Sequence, residues 1–373
     1  MTVPSPTSTY LNDVYLGTGI VSEMGDILAE REIHDPLVVT DEYLRTNGFV
    51  DALDLEDPVV FDAVRTNPDV AMVQAGTDVY EKHGCDGLVA LGGGSPIDAA
   101  KGIAITHTHE ESPDAFAVQT DRILEHPLPP IVAVPTTAGS GSEVGRATLI
   151  VTTEGEKVAI IDPAVIPAAA VCDPELTLSL PPRLTAATGM DAIPHCIETF
   201  CSPRENPTAD AVALDGFARA YRHLPSAVEG GTDLDARREM MIAALHGGLA
   251  FQKGLGAVHA LSHPLGGLAH LNLHHGTLNA IFLPHVLRYN APVIPERLAL
   301  LAETIGIEDP ETLPAVFEQQ IEALPLPSRL SALGVTNEEI ETVIEGALRD
   351  HCAETNPRSL DEASVRSLYE AAL

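Results

Sequence analysis

Four short apolar runs in the first half of the chain, PLVVT (36 to 40), DPVVF (57 to 61), DGLVALGGG (86 to 94) and PPIVAVPTT (129 to 137), each stop at a turn or glycine signal. Between them lie stretches of helical spacing, such as NPDVAMVQAGTDVYEKHG (67 to 84) and SPIDAAKGIAI (95 to 105). A strand with one wet face alternates apolar and polar residues; these runs do not. Continuous runs separated by helices predict buried parallel strands covered on both faces, an α/β layer structure. Two further runs, KVAIID (157 to 162) and AAAVCD (168 to 173), are expected to complete this half. After LSLPPRL (178 to 184) the pattern changes, and from ATGMDAIPHCIETF to DEASVRSLYEAAL apolar residues recur every three or four positions with no strand-like run. That predicts an all-helical second domain. A chain of 373 residues exceeds one ordinary core. The expected division is an α/β domain over 1–180 and a helical domain over 181–373, with Pro181 and Pro182 at the boundary.

Two loops in the first half have the chemistry of anion sites. LGGGSPIDAAKG (91 to 102) ends a strand in three glycines and enters a helix near Ser95 and Pro96. Unpaired N–H groups at such a helix start, with no side chains in the way, attract phosphate. A tight turn in which glycine only relieves strain is the alternative, since neither GxGxxG nor GxxxxGK[ST] is present. PTTAGSGSEVG (135 to 145) follows the next strand with a set of hydroxyls suited to phosphate, ribose or amide groups. Two such loops favour a dinucleotide. Asp41, straight after PLVVT, could accept hydrogen bonds from a ribose and would repel a 2′-phosphate, favouring NAD over NADP, or it could simply cap the helix EYLRTNG.

The helical half holds the metal chemistry. Residues 259 to 276, HALSHPLGGLAHLNLHHG, contain five of the chain's 15 histidines. In GMDAIPHCIET, Asp191 and His195 are four apart and share a helix face; His259 and His263 repeat that spacing. A carboxylate and imidazoles from separate helices form a mixed oxygen and nitrogen set that suits Fe(II), Zn(II) or Mn(II). A local salt bridge or cap is the other reading of each pair.

Composition narrows the partners. The chain carries 54 acids against 21 bases, a net charge of -33. Such a surface repels phosphate backbones and anionic lipid, so neither nucleic acid nor membrane is an expected partner. Lysine occurs only at 82, 101, 157 and 253. Acid excess with scarce lysine is similar to proteins from salt-loving organisms, where cations screen self-repulsion. Five cysteines without a CxxC pair suit a reducing cytoplasm. The N-terminal MTVPSPTSTYLND has no basic start followed by an apolar core, so no secretion signal is expected, and no apolar run has the length of a membrane span.

GGGSPIDAAK, PTTAGSGSEV, GMDAIPHCIET and VHALSHPLGGL...HHGTLNAIFLPHVLRYN together resemble, in order and spacing, the signature segments of the iron-containing (group III) alcohol dehydrogenase family. The resemblance covers essentially the whole chain and is less diagnostic beyond residue 290. It implies a dehydroquinate synthase-like architecture of two domains, a nicotinamide cofactor, a divalent metal (iron or zinc), a small alcohol or aldehyde as substrate, and a homodimer or larger homo-oligomer. Carried over residue by residue, it implies Asp191, His195, His259 and His275 as metal ligands, with His274 as the alternative fourth. His263 falls near nicotinamide and substrate without binding metal, as a proton relay. Gly93, Gly94, Ser95 and Asp98 match the pyrophosphate loop and the helix after it; Thr136 and Thr137 line the cofactor cleft; Asp41, Asn67 and Lys157 are further cofactor contacts. His270 is left as a loop residue.

Two departures stand out. The link HPLGGLAHLNLHHG is longer than the family's usual one, and Gly145 stands where a threonine is common. The implied reaction is hydride transfer between an alcohol carbon and NAD in the cleft between the domains. Its competitors are a lyase of the dehydroquinate synthase type, which would need a basic phosphate pocket that four lysines do not obviously supply, and a non-catalytic protein binding metal or dinucleotide. No arginine or lysine beside HPLGG calls for an anionic substrate, which favours a neutral one.

Overall fold

The computed structural model describes residues 12–120, 122–268 and 270–373; residues 1–11 of the N-terminal stretch read for a secretion signal lie outside them. The chain divides into two compact units, one ending at Ser179 and the other beginning at Leu180.

The first unit contains β1 (Asp13–Leu16), α1 (Met24–Ala29), β2 (Pro36–Val39), α2 (Glu42–Thr46), β3 (Val59–Phe61), α3 (Val70–His83), β4 (Gly87–Gly92), α4 (Gly94–His109), β5 (Ile131–Pro135), β6 (Ala147–Val151), β7 (Lys157–Ile161) and β8 (Ala169–Cys172). Six strands form one parallel sheet in the order β1-β8-β5-β4-β2-β3. The apolar runs make it two-sided. Leu37, Val39, Leu88, Ala90, Ile131 and Ala133 pack with Val73, Ile97 and Ile103 from α3 and α4 on one face. Val38, Val89, Leu91, Val132 and Val134 pack with Met24, Ile27 and Leu28 from α1 on the other. Successive residues thus go to opposite cores, which is why no polar position interrupts these strands.

One strand expectation is corrected. KVAIID forms β7, but β7 pairs antiparallel with β6 in a separate two-stranded sheet, in register Ala147↔Ile161 to Val151↔Lys157. In this hairpin β6 alternates half-buried and buried residues, while β7 buries the adjacent Ala159 and Ile160.

Chain connections leave β2 toward β3 and β4 toward β5, in opposite directions across the sheet. The carboxyl ends of β2 and β4 therefore flank the switch point where open α/β sheets bind ligands. Asp41 follows one strand and the glycine turn follows the other.

The second unit is helical: α5 (Pro182–Cys201), α6 (Pro207–Glu229), α7 (Leu234–Ala250), α8 (Ala257–Gly266), α9 (His275–Asn290), α10 (Pro295–Thr304), α11 (Leu313–Ala323), α12 (Asn337–Arg349) and α13 (Glu362–Ala372). Side chains outside the helices set their starts, with Asn206 capping α6, Asp233 capping α7, and a Thr336–Glu339 capping box opening α12. Helix α5 is buried almost along its length among α6, α7 and α9. No described helix is long and apolar enough to cross a membrane.

Candidate metal centre and cofactor loops

Helix α5 presents Asp191 and His195 one turn apart, α8 contributes His259, and the first residue of α9 is His275. Their donor atoms converge. The Nε2 atoms of His195 and His259 each lie 4.0 Å from Asp191 Oδ1, and Nε2 of His275 lies 3.7 Å from it. Tetrahedral ligands at ordinary metal distances are separated by roughly 3.4 Å; Asp191, His195 and His259 form a group whose donor atoms all lie within 4.8 Å of one another, and His275 stands beside it. Asp191, His195 and His259 are all buried.

The tautomers agree with that use. His259 Nδ1 donates to Glu198 Oε2 at 2.6 Å, which leaves its Nε2 as a lone-pair donor. A single hydrogen-bond donor, Asn279 Nδ2, sits 2.7 Å from Asp191 Oδ1, 3.0 Å from His275 Nε2 and 3.2 Å from His259 Nε2. Three acceptors aimed at one electropositive atom are the arrangement a cation exploits. Burial opposes protonation of His259, yet the bond and charge of Glu198, with Asp191 behind it, raise its imidazole above the ordinary value. The site's field therefore attracts positive charge, and the residues fit a divalent metal.

Close helix approach makes the geometry possible. A Cβ on Gly276 would overlap the Ala187 carbonyl oxygen, so only glycine lets α9 start against α5 with His275 beside Asp191.

His263 lies one turn beyond His259, its ring stacked on His275 with centroids 5.2 Å apart. Its Nδ1 is 2.8 Å from Asp350 Oδ2. Burial alone would raise the Asp350 carboxyl, but the charge and hydrogen bond of His263, with His351 adding to them, hold it well below the usual carboxylate range. His274 is the residue before α9, and His270 is exposed, 3.5 Å from Glu339.

In the first unit, Gly92 has φ 150°, a conformation open to glycine, and its Cβ would strike Pro96. Gly93 is the N-cap of α4, which starts at Gly94 and contains Ser95 and Asp98. Cβ atoms on Gly93 and Gly94 would press on Thr137 and Ser140, so the loops after β4 and β5 lie against each other. Thr136 N–H donates to Gly92 O at 3.0 Å, closing that contact. Ser142 Oγ donates to Asp98 at 2.9 Å, and burial raises the Asp98 carboxyl. Lys101, fully buried, donates to Ser142 O, Ser142 Oγ, Gly145 O and Ala147 O, fixing the second loop. Burial pulls its ammonium down to about 8. Lys157 Nζ donates to Asn67 Oδ1 at 2.9 Å, so these two residues, far apart in sequence, are neighbours. Asp41 caps α2 through Leu44 N–H at 2.8 Å, the cap reading of this residue, with one carboxylate oxygen.

Glu198, Asn279 and Asp350 were not among the candidates from sequence. Glu198 had a signal: it follows Asp191 by seven and His195 by three, on the same helix face. Asn279 is one turn after His275. Asp350 had none, being 87 positions from the imidazole it contacts.

Residues 12–174 match the family described as "Iron-containing alcohol dehydrogenase", and residues 185–373 match "Fe-containing alcohol dehydrogenase family, C-terminal". The chain is 45% identical to 4-hydroxybutyrate dehydrogenase of Cupriavidus necator, over 98% of this chain and 99% of that one. A crystal structure of 1,3-propanediol oxidoreductase superposes with a TM-score of 0.93 at 37% identity, covering 98% of this chain and all of the other. Sulfoacetaldehyde reductase from Bifidobacterium kashiwanohense, solved in complex with NAD+, superposes with a TM-score of 0.89 at 29% identity, covering 98% of each. Both halves of the chain, each with its own chemistry, thus match the two halves of one family, and the protein belongs to the iron-containing alcohol dehydrogenases, metal-dependent enzymes that exchange hydride between an alcohol and NAD.

Proposed function

We propose that the protein interconverts a short primary alcohol with a second polar group at its far end and the corresponding aldehyde, with Asp191, His195, His259 and His275 as the metal ligands. The convergence of three imidazole Nε2 atoms on Asp191 Oδ1 carries this assignment. When bound, the metal supplies Lewis acidity toward the substrate oxygen and NAD supplies the hydride acceptor. Glu198 orients His259, and Asn279 aligns the Asp191 carboxylate. His263 takes up the hydroxyl proton in oxidation and returns it in reduction. Gly93, Gly94 and Ser95 offer the N-terminus of α4 to the pyrophosphate, Asp98, Thr136 and Thr137 line the cofactor, and Asp41, Asn67 and Lys157 make its outer contacts.

The charged side chains touching His259 and His263 are acids, Glu198 and Asp350, which favours a neutral diol. The 45% identical relative favours a hydroxy acid as the second reading. We place the enzyme in the cytoplasm, consistent with five buried free thiols, as a homodimer or larger assembly.

The test is NADH absorbance of the iron- or zinc-loaded protein in molar salt with NAD and 1,3-propanediol, 4-hydroxybutyrate and simple alcohols. The expected result is metal-dependent turnover with the diol ahead of the hydroxy acid. Asp191→Ala should lose bound metal and turnover together; retained activity in that variant would refute the metal assignment.

A further inference from the structure

Segment 350–356 follows α12 and returns against α8, the helix that carries His259 and His263. Gly256, at the α8 N-cap, has no side chain to offer, so the first helical N–H groups are capped from elsewhere. Ala257 N–H donates to Asn356 Oδ1 at 3.0 Å, and Val258 N–H donates to Glu198 Oε1 at 2.5 Å. Thr355 Oγ1 donates to Leu255 O at 2.7 Å, and Tyr369 OH donates to Leu261 O at 2.8 Å. Helix α8 is thus held by C-terminal residues just before its start and again midway along it.

Within this clasp, Asp350 has both oxygens engaged. Oδ1 accepts the Cys352 N–H at 2.8 Å, and Oδ2 lies 2.8 Å from His263 Nδ1. His351 Nδ1 stands 3.7 Å from Oδ1, beyond hydrogen-bond reach. Among the described residues, the Nε2 of His263 has no hydrogen-bond partner. An ionised carboxylate only accepts, so the proton it holds on the imidazole is the one at Nδ1.

We propose that Asp350 is a positioning residue for hydride transfer: by accepting the Nδ1 proton it fixes His263 in the tautomer whose Nε2 lone pair takes the proton released from the alcohol. The proposal rests on the reading of His263 as the proton acceptor. In the balanced step, the alcohol C–H bond breaks and its electron pair passes with the hydrogen to NAD+. The O–H bond breaks, its proton moves to Nε2, and its electrons form the carbonyl double bond. The products are aldehyde, NADH and imidazolium. With the tautomer reversed, Nε2 already carries hydrogen and the proton has no acceptor.

The direct test is 15N spectroscopy of histidine-labelled, zinc-loaded enzyme with NAD bound, at alkaline pH, with His263 assigned by its absence in His263→Ala. The expected spectrum shows the proton on Nδ1 in the native protein and a redistribution toward Nε2 in Asp350→Asn. Steady-state kinetics give the second reading. His263→Ala should lower kcat by about 10²-fold, the scale of one acid–base group. Asp350→Asn should lower kcat by at least about tenfold with little change in KM and full metal content, and Asp350→Glu should recover part of the loss. In the His263→Ala background, Asp350→Asn should cost nothing further, because it acts through the missing imidazole.

A native Nε2–H tautomer, or losses that add in the double variant, would overturn the proposal while leaving His263 in its role. Unchanged kcat in His263→Ala would remove that role and the proposal with it.

Discussion

Glu198 Oε2 lies 2.6 Å from His259 Nδ1, while Oε1 of the same carboxylate accepts the backbone N–H of Val258. One buried acid therefore sets the tautomer of His259 and caps the helix that carries it. Removing a second carboxylate that orients a ligating imidazole typically costs about 10 to 100-fold in metal affinity. Glu198→Gln, which keeps the shape but not the charge, is expected to weaken zinc binding by that factor. Competition against a chelator of known affinity reads it directly, and undiminished affinity would show that His259 needs no orienting partner.

Gly276 makes a steric prediction at the same centre. Its position against the Ala187 carbonyl leaves no room for a methyl group, and the obstacle is backbone. Gly276→Ala must push the start of α9 away from α5, carrying His275 from Asp191 Oδ1. Overpacking of this kind costs about 1–3 kcal/mol. The variant is expected to melt lower and to bind metal more weakly than native protein, whereas Gly266→Ala, where a Cβ meets nothing within 4 Å, is the matched control.

The strand runs predict the parallel sheet because each residue of a doubly covered strand must be apolar. The same uniformity hid the pairing partner of KVAIID, since a short apolar run does not reveal whether its neighbour runs parallel or antiparallel. Asp191 with His195, and His259 with His263, are legible as candidates because helix periodicity places residues four apart on one face. His275 was reached through the motif after it. Asp350 is illegible for a physical reason: its contact with His263 exists only because α12 ends beside α8, a tertiary fact with no local period. Lys101 has the sequence signal of an ordinary helix residue, yet it holds the loop after β5 through four hydrogen bonds.

Glu143, in that loop, gives a pH prediction. Burial raises its carboxyl to about 7, against the lowering effects of its backbone hydrogen bond and of Lys101. A carboxyl that holds its proton more tightly in the folded state adds stability that is fully present below the unfolded value of about 4.5 and is lost as pH rises through about 7. The shift corresponds to about 3 kcal/mol. Glu143→Gln keeps a neutral group of the same shape. Denaturant unfolding at pH 4.5 and 8 in constant molar salt should show the native protein losing stability relative to the variant across that window. A difference that does not vary with pH would mean that Glu143 stays in one protonation state throughout.

With a net charge of -33, the folded surface repels itself, and few bases are free to oppose this. Of the four lysines, Lys101 and Lys253 are buried against carbonyls and Asp210, and Lys157 is bonded to Asn67. Only Lys82 is exposed. Lysine has thus been kept where its ammonium has a geometric role and is scarce where it would only add surface charge. The screening length falls from about 10 Å at 0.1 M salt to about 3 Å at 1 M. Melting temperature should therefore rise steeply between 0.1 and 1 M potassium chloride and level off once repulsion is screened, whereas salt exclusion from apolar surface would keep stabilising beyond that point. A melting temperature indifferent to salt would show that the acidic surface is tolerated rather than supported by its solvent.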